Sequence, residues 1–99
     1  MKKEIKEAYL KELLSPANTQ IRGHAEDGKG GYCGIALLFK VLGYYDKNHK
    51  AILPVVTDVS VFLNSATIDL DQAQTIIRMN EKGQTYLQIH DYVQTIPTT

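Results

Sequence analysis

Between Tyr32 and Leu42 the chain reads Tyr-Cys-Gly-Ile-Ala-Leu-Leu-Phe-Lys-Val-Leu, with Lys40 its only charge. A segment apolar on every side belongs in an interior, so the remaining elements must wrap around it. A buried strand is the rival to a buried helix here. The length of the run favours the helix, and Gly43 directly after it supplies the left-handed position at which many helices stop.

The flanking segments supply the wrapping. Residues 2–14 place Ile5, Tyr9, Leu10, Leu13 and Leu14 on one side of a 3.6-residue period, which predicts an amphipathic helix ended by Ser15-Pro16-Ala17-Asn18. From Thr19 to Gly31 the glycines Gly23, Gly28, Gly30 and Gly31 stand among polar residues. That stretch reads as an exposed loop with a short extended piece near residues 19–23. Tyr44 to Lys50 forms a connection. In Leu53–Leu63 the valines favour a strand, whereas Pro54 at a first turn and the 55/56/59/62/63 spacing favour a short helix, which is the expectation carried forward. Asp69 with Gln72, and Thr85 with Gln88, match the capping-box spacing. The first opens a helix with an inward stripe of Ala73, Ile76 and Ile77 that closes at Gly83. The second opens a helix carrying Tyr86, Ile89, Tyr92, Val93 and Ile96 to Pro97. The expected fold is therefore mostly α, one compact domain over 1–99 with about five short helices and a Gly-rich loop.

Composition narrows the partners. Eleven Lys/Arg and eleven Asp/Glu cancel, leaving no overall field to draw the chain onto nucleic acid or an anionic membrane. Residues 1–50 hold nine basic against six acidic side chains and residues 51–99 two against five, which reads as solvated surface because the cations are scattered. Cys33 is the one cysteine and cannot form an internal disulfide, which points to a reducing compartment. Met1-Lys2-Lys3-Glu4-Ile5-Lys6-Glu7 is not followed by the apolar region of a signal peptide, and no apolar run approaches the ~20 residues that cross a bilayer. A cytoplasmic location is expected, without membrane contact. Small size makes a homodimer a further expectation, since it would cover apolar surface that a chain this short leaves open.

Three constellations could carry chemistry. Cys33 opens the central helix, and a helix N-terminus favours a thiolate. With Tyr44-Tyr45 after it, this segment is superficially similar to the nucleophile helix of papain-like and bacteriocin-processing peptidases, which gives one alternative: a cysteine-dependent hydrolase using Cys33 with His49 or His90. Such enzymes also need an orienting Asp or Asn and a Gln before the cysteine, and a packed structural thiol is the competing account. His24, His49 and His90 show no zinc-like spacing, and Gly28-Lys29-Gly30-Gly31 lacks the Gly-Lys-Ser/Thr ending of a phosphate loop. No metal or cofactor is expected. Ile76–Ile89 resembles the opening of a helix-turn-helix, which gives a second alternative, a DNA-binding regulator. No further helix follows to enter a major groove, and Asp91 and Pro97 leave no cationic surface behind the turn.

Taken in order, Gln20-Ile21-Arg22-Gly23, Tyr32-Cys33-Gly34-Ile35-Ala36-Leu37-Leu38, Leu53-Pro54 and Met79-Asn80-Glu81-Lys82-Gly83-Gln84-Thr85-Tyr86-Leu87-Gln88-Ile89-His90-Asp91-Tyr92-Val93 cover most of the chain. They resemble a family of small phage and prophage proteins with a Gln-x-x-Gly segment, a Tyr-Cys-Cys-Leu-Gly-Val-Leu helix, a Leu-Pro and a Leu-Asn-Asp-x-Gly-x-Ser-Phe-x-Glu-Ile-Ala segment. The family's second cysteine is Gly34 here, and its alanine in the last helix is His90. The resemblance implies a non-enzymatic accessory protein of a mobile element, working in a bacterial host cell by binding a host or phage protein. Binding residues are sought first in and beside the loop, at Gln20, Arg22, His24 and Tyr32. For Gln20 and Arg22 a structural part in closing the loop is weighed ahead of binding.

Overall fold

The computed structural model describes residues 1–52 and 59–99. Helix α1 spans Lys3–Leu14, buries Tyr9 and Leu13, and gives way to an extended Ser15 ahead of Pro16. Strand β1 is Thr19–Gln20 and strand β2 is Gly31–Tyr32, paired in parallel with Thr19 opposite Gly31 and Gln20 opposite Tyr32. Helix α2 spans Gly34–Val41 and is buried from Gly34 to Phe39, as its apolar circumference requires. It stops at Leu42, after which Gly43 takes φ +83°.

Helix α3 spans Val59–Ala66, α4 Leu70–Glu81 and α5 Tyr86–Gln94. Both capping boxes form. The Asp69 side chain accepts from Gln72 N and the Thr85 side chain from Gln88 N, while each glutamine accepts from the backbone N–H of its cap residue. Gly83, at φ +90°, separates α4 from α5. The part of the predicted Leu53–Leu63 helix over residues 53–58 lies outside the described residues. The remainder falls within α3.

Helix α2 is the centre, with α1 and α4 against it, and α1 also packs along α5. Lys6 Nζ donates to the carbonyls of Gln94, at 3.0 Å, and Ile96, at 2.6 Å, so a cation of α1 meets the partially negative end of α5. A radius of gyration of 12.2 Å matches the ~13 Å of a compact chain this long. The result is a compact, mostly helical domain with five short helices among the described residues.

Four details differ from expectation. The central helix begins at Gly34, because Tyr32 belongs to β2 and Cys33 is an extended cap residue. The loop is not exposed throughout, since Gly30 and Gly31 are buried. Leu14 and Ile77, expected to face inward, are 54% and 43% exposed. In α4 the inward positions are Ala73, Ile76 and Asn80, and Ile77 sits about 100° round the helix from Ile76, at the edge of the core.

Candidate functional site

The short parallel pair brings the loop back against the junction of three helices, and a polar network fixes it there. Asn80, 1% exposed, accepts through Oδ1 from Gly34 N at 3.0 Å and from Gln20 Nε2 at 2.8 Å, and donates through Nδ2 to Ile21 O at 2.9 Å. Gln20 Nε2 also donates to Gln84 O at 2.6 Å, and its Oε1 accepts from Tyr86 N at 2.9 Å. Gly34 N and Tyr86 N are the first helical N–H groups of α2 and α5, which have no partner inside their own helices. Two side-chain amides distant in sequence therefore satisfy two helix N-termini.

Arg22 Nε donates to Asn80 O at 2.9 Å, near the end of α4. The Tyr86 hydroxyl reaches the carbonyls of Thr19 and Tyr32, and the Tyr9 hydroxyl donates to Gly34 O at 2.6 Å. Burial raises the pKa of both phenols, so they remain donors across the neutral range. Of the residues chosen from sequence, Gln20, Arg22 and Tyr32 are thus drawn together. Gln20 is half-buried with its amide fully engaged, and Tyr32 is completely buried. Arg22 is exposed but tethered, and His24 is exposed on the loop without a hydrogen bond among the described residues.

Two loops flank this joint and share one pattern of aspartate-anchored hydrogen bonds, although Gly28 of the first is left-handed and Lys47 of the second is not. In Asp27–Gly31, Asp27 N donates to Gly31 O at 3.1 Å, and Asp27 Oδ1 accepts from Lys29 N and Gly31 N, both at 2.8 Å. In Asp46–Lys50, Asp46 N donates to Lys50 O at 2.8 Å, and Asp46 Oδ1 accepts from Asn48 N at 2.7 Å and Lys50 N at 3.1 Å. Antiparallel bridges close them, Glu26 to Tyr32 and Tyr45 to Ala51. The fourth residue of each is left-handed: Gly30 at φ +90° and His49 at φ +64°.

The two loops meet through aromatic side chains. The Tyr32 hydroxyl lies 2.6 Å from His49 Nδ1, which accepts from it when the imidazole carries its proton on Nε2. The Tyr32 ring packs edge-on against Tyr45, with centroids 5.3 Å apart, and Lys40 Nζ stands 5.3 Å from its centroid on the way to Glu12 and Asn18. The Tyr45 hydroxyl is buried without a partner among the described residues, and burial pushes its pKa up to about 12.

Cys33 caps α2 and is 8% exposed as a residue. The N–H groups of Ala36 and Ile35 lower its pKa, as a helix start should, but desolvation outweighs them and the net shift is upward. Among the described residues no histidine hydrogen-bonds the sulfur. His49 faces Tyr32, and His90 lies 3.3 Å from Asp91. Helix α5 contains no Lys or Arg. Among the described residues no cluster of His, Cys, Asp and Glu is arranged to hold a metal ion, and no helix is long and apolar enough to cross a membrane.

Sequence reasoning passed over Asn80 as a site residue and weighed His49 only as a partner for Cys33, not for Tyr32. Asn80 is polar at an inward position, so an apolar stripe skips it. His49 follows Asp46 by three residues, as Gly30 follows Asp27, and that repeated spacing is the signal that could have found it. Comparisons with family models, curated proteins and solved structures give no match to this chain.

Proposed function

We propose that this protein is a non-enzymatic accessory protein of a phage or prophage that acts in a bacterial cell by binding a host or phage protein. The resemblance in the Gln20, Cys33 and Asn80 segments supports the origin. The observation that carries the binding part is the state of Cys33: the one residue with a nucleophile's position is buried, has a raised pKa and has no hydrogen bond to a histidine.

The loop supplies the surface. Asp27 and Glu26 turn their carboxylates onto loop N–H groups, those of Lys29 and Gly31 for Asp27 and that of Gly28 for Glu26. Arg22, His24 and Lys29 remain exposed. The loop therefore offers the exposed side chains of Arg22, His24 and Lys29 to a partner, while loop N–H groups hold the Glu26 and Asp27 carboxylates in place. Gln20 and Tyr32 act from beneath as positioning residues.

The test is capture from a bacterial host lysate by the immobilised full chain, with Arg22→Glu/His24→Ala as the loop variant and Lys3→Glu on α1 as the control. One protein retained by the wild type and the control, and lost by the loop variant, is the expected result. No retained protein, or equal retention by the loop variant, contradicts the reading.

A further inference from the structure

Asp27 is followed by Gly28, the one Asp-Gly pair in the sequence, which has no Asn-Gly pair. Asp-Gly is the aspartyl pair most prone to close on itself, because glycine puts no side chain in the way when its own nitrogen attacks the aspartate carboxyl. Both residues are exposed, so burial does not prevent that reaction. Hydrogen bonds occupy the reacting groups instead. The Gly28 N–H donates to Glu26 Oε2 at 2.5 Å, and Asp27 Oδ1 accepts from Lys29 N and Gly31 N, both at 2.8 Å. The same two N–H groups keep the Asp27 carboxyl ionised to lower pH than an ordinary one, and a carboxylate is a poorer electrophile than the acid.

We infer that Asp27–Gly28 is a site of spontaneous aspartate isomerisation that the folded loop holds closed, with Glu26 as its guard. In the reaction Gly28 N bonds to Asp27 Cγ, the N–H proton and the carboxyl OH depart as water, and a succinimide ring results. Water then cleaves one of the two ring C–N bonds. Cleavage at Cγ restores aspartate, and cleavage at the main-chain carbonyl leaves isoaspartate, in which the chain runs through Cγ. No oxidant and no co-reactant besides water take part. Closure needs Gly28 N without its proton and Cγ free to move onto it, so the contacts to Glu26, Lys29 and Gly31 must be given up together. The Glu26 charge is a further obstacle, since it opposes the negative charge that develops on the nitrogen. Asp46 repeats the clasp but precedes Lys47, whose side chain crowds the ring, so the second loop does not share this chemistry. Isoaspartate would lengthen the backbone by one atom and displace the carboxylate. The clasp on Lys29 and Gly31 could not then re-form, and β2 would lose its lead-in.

Trypsin, cutting after Arg22 and Lys29, releases residues 23–29 as one peptide. Its aspartate and isoaspartate forms have equal mass, separate by reversed-phase chromatography, and are told apart by electron-transfer fragmentation. The full chain and a synthetic peptide of residues 23–29 are aged side by side in mildly acidic buffer, below the melting temperature, and the chain is then digested. Isoaspartate should accumulate at least roughly tenfold more slowly in the folded chain, because closure waits on local opening. Glu26→Ala should speed the folded chain several-fold and leave the peptide carrying the same change nearly unaltered. Glu26→Gln, whose side-chain oxygen still accepts from Gly28 N, should stay closer to the wild type. Circular dichroism checks that both variants keep the fold. A folded wild type that isomerises as fast as the peptide overturns the inference without recourse to any variant. So does a folded Glu26→Ala no faster than the wild type, or a Glu26→Gln no slower than Glu26→Ala.

Discussion

The loops Asp27–Gly31 and Asp46–Lys50 are built alike and held differently. Each starts at an aspartate whose carboxylate gathers two N–H groups, and each passes through a left-handed residue in fourth place. The first then runs into β2, where its backbone is gripped from both sides: Thr19 N donates to Gly30 O, Ile21 N to Tyr32 O, and the Tyr86 hydroxyl closes on Tyr32 O. Among the described residues the second has a single side-chain tie to the rest of the fold, from His49 to Tyr32. An aspartate and a left-handed residue are enough to shape such a loop; what lies beneath decides how firmly it is kept. The residue types follow. Glycine takes the left-handed position at no steric cost where backbone contacts do the holding, whereas His49 bears the strain of φ +64° and brings a ring that reaches the neighbouring loop.

Removing the support under the first loop should have the largest effect. Asn80→Leu leaves the N–H of Gly34 and the carbonyl of Ile21 without their partner in the interior, at about 1–3 kcal/mol each. Chemical denaturation should show the summed loss. Native-state hydrogen exchange should lose protection across residues 19–34 while the amides of Asn48 and Lys50 keep theirs. Equal loss in both loops would erase the distinction between them.

Next in size are the left-handed positions. Gly30→Ala places a β-carbon at φ +90°, and a cost of about 1–2 kcal/mol is expected even though the nearest atoms, Ala17 O and His49 Nε2, are 3.7 Å away. His49→Gly removes a strain of similar size but leaves the Tyr32 hydroxyl without its partner, so the two effects should nearly cancel. In a Tyr32→Phe background that hydroxyl is absent, and His49→Gly should then stabilise by about 1 kcal/mol. A double-mutant cycle by thermal or urea unfolding checks the sign change. The same small effect in both backgrounds would mean that the histidine is not kept for its hydrogen bond.

Gly34 sharpens the contrast from the helix side. A β-carbon there would lie 2.7 Å from Ile89 Cδ1, the flexible end of a side chain, and 3.6 Å from Asn80 Oδ1. Gly34→Ala should cost about 1 kcal/mol, and adding Ile89→Val should return part of it. The smallest effect concerns charge. The N–H groups of Lys29 and Gly31 hold the Asp27 carboxyl below its ordinary 3.8. A folded value lower than the unfolded one means that this stabilisation is complete above 3.8 and disappears as pH falls through the folded value. Carboxyl titration by NMR should find that lower value, and the melting difference between wild type and Asp27→Asn should shrink on acidification.

Much of the helical framework was legible from local chemistry. Asp69 with Gln72 and Thr85 with Gln88 state two helix starts, because a capping box involves only residues three apart. Gly43, Pro16 and the all-apolar run around Leu37 are equally local. The candidate site was not legible in that way. Gln20 and Tyr32 stand out in the sequence, but their partners Asn80, Tyr86 and His49 come from elsewhere in the chain, and a parallel pair of two-residue strands leaves no periodicity to read. The position of Cys33 at a helix start was legible too. The sign of its pKa shift was not, since burial depends on which side chains close over the sulfur.

That thiol gives the most direct test of a protein that binds without catalysing. The rate at which iodoacetamide alkylates Cys33 in the native protein at neutral pH should be well below that of a free thiol, and unchanged by His49→Gln or His90→Gln. A rate above the free thiol's that falls when either histidine is replaced would contradict the account and identify an activated nucleophile.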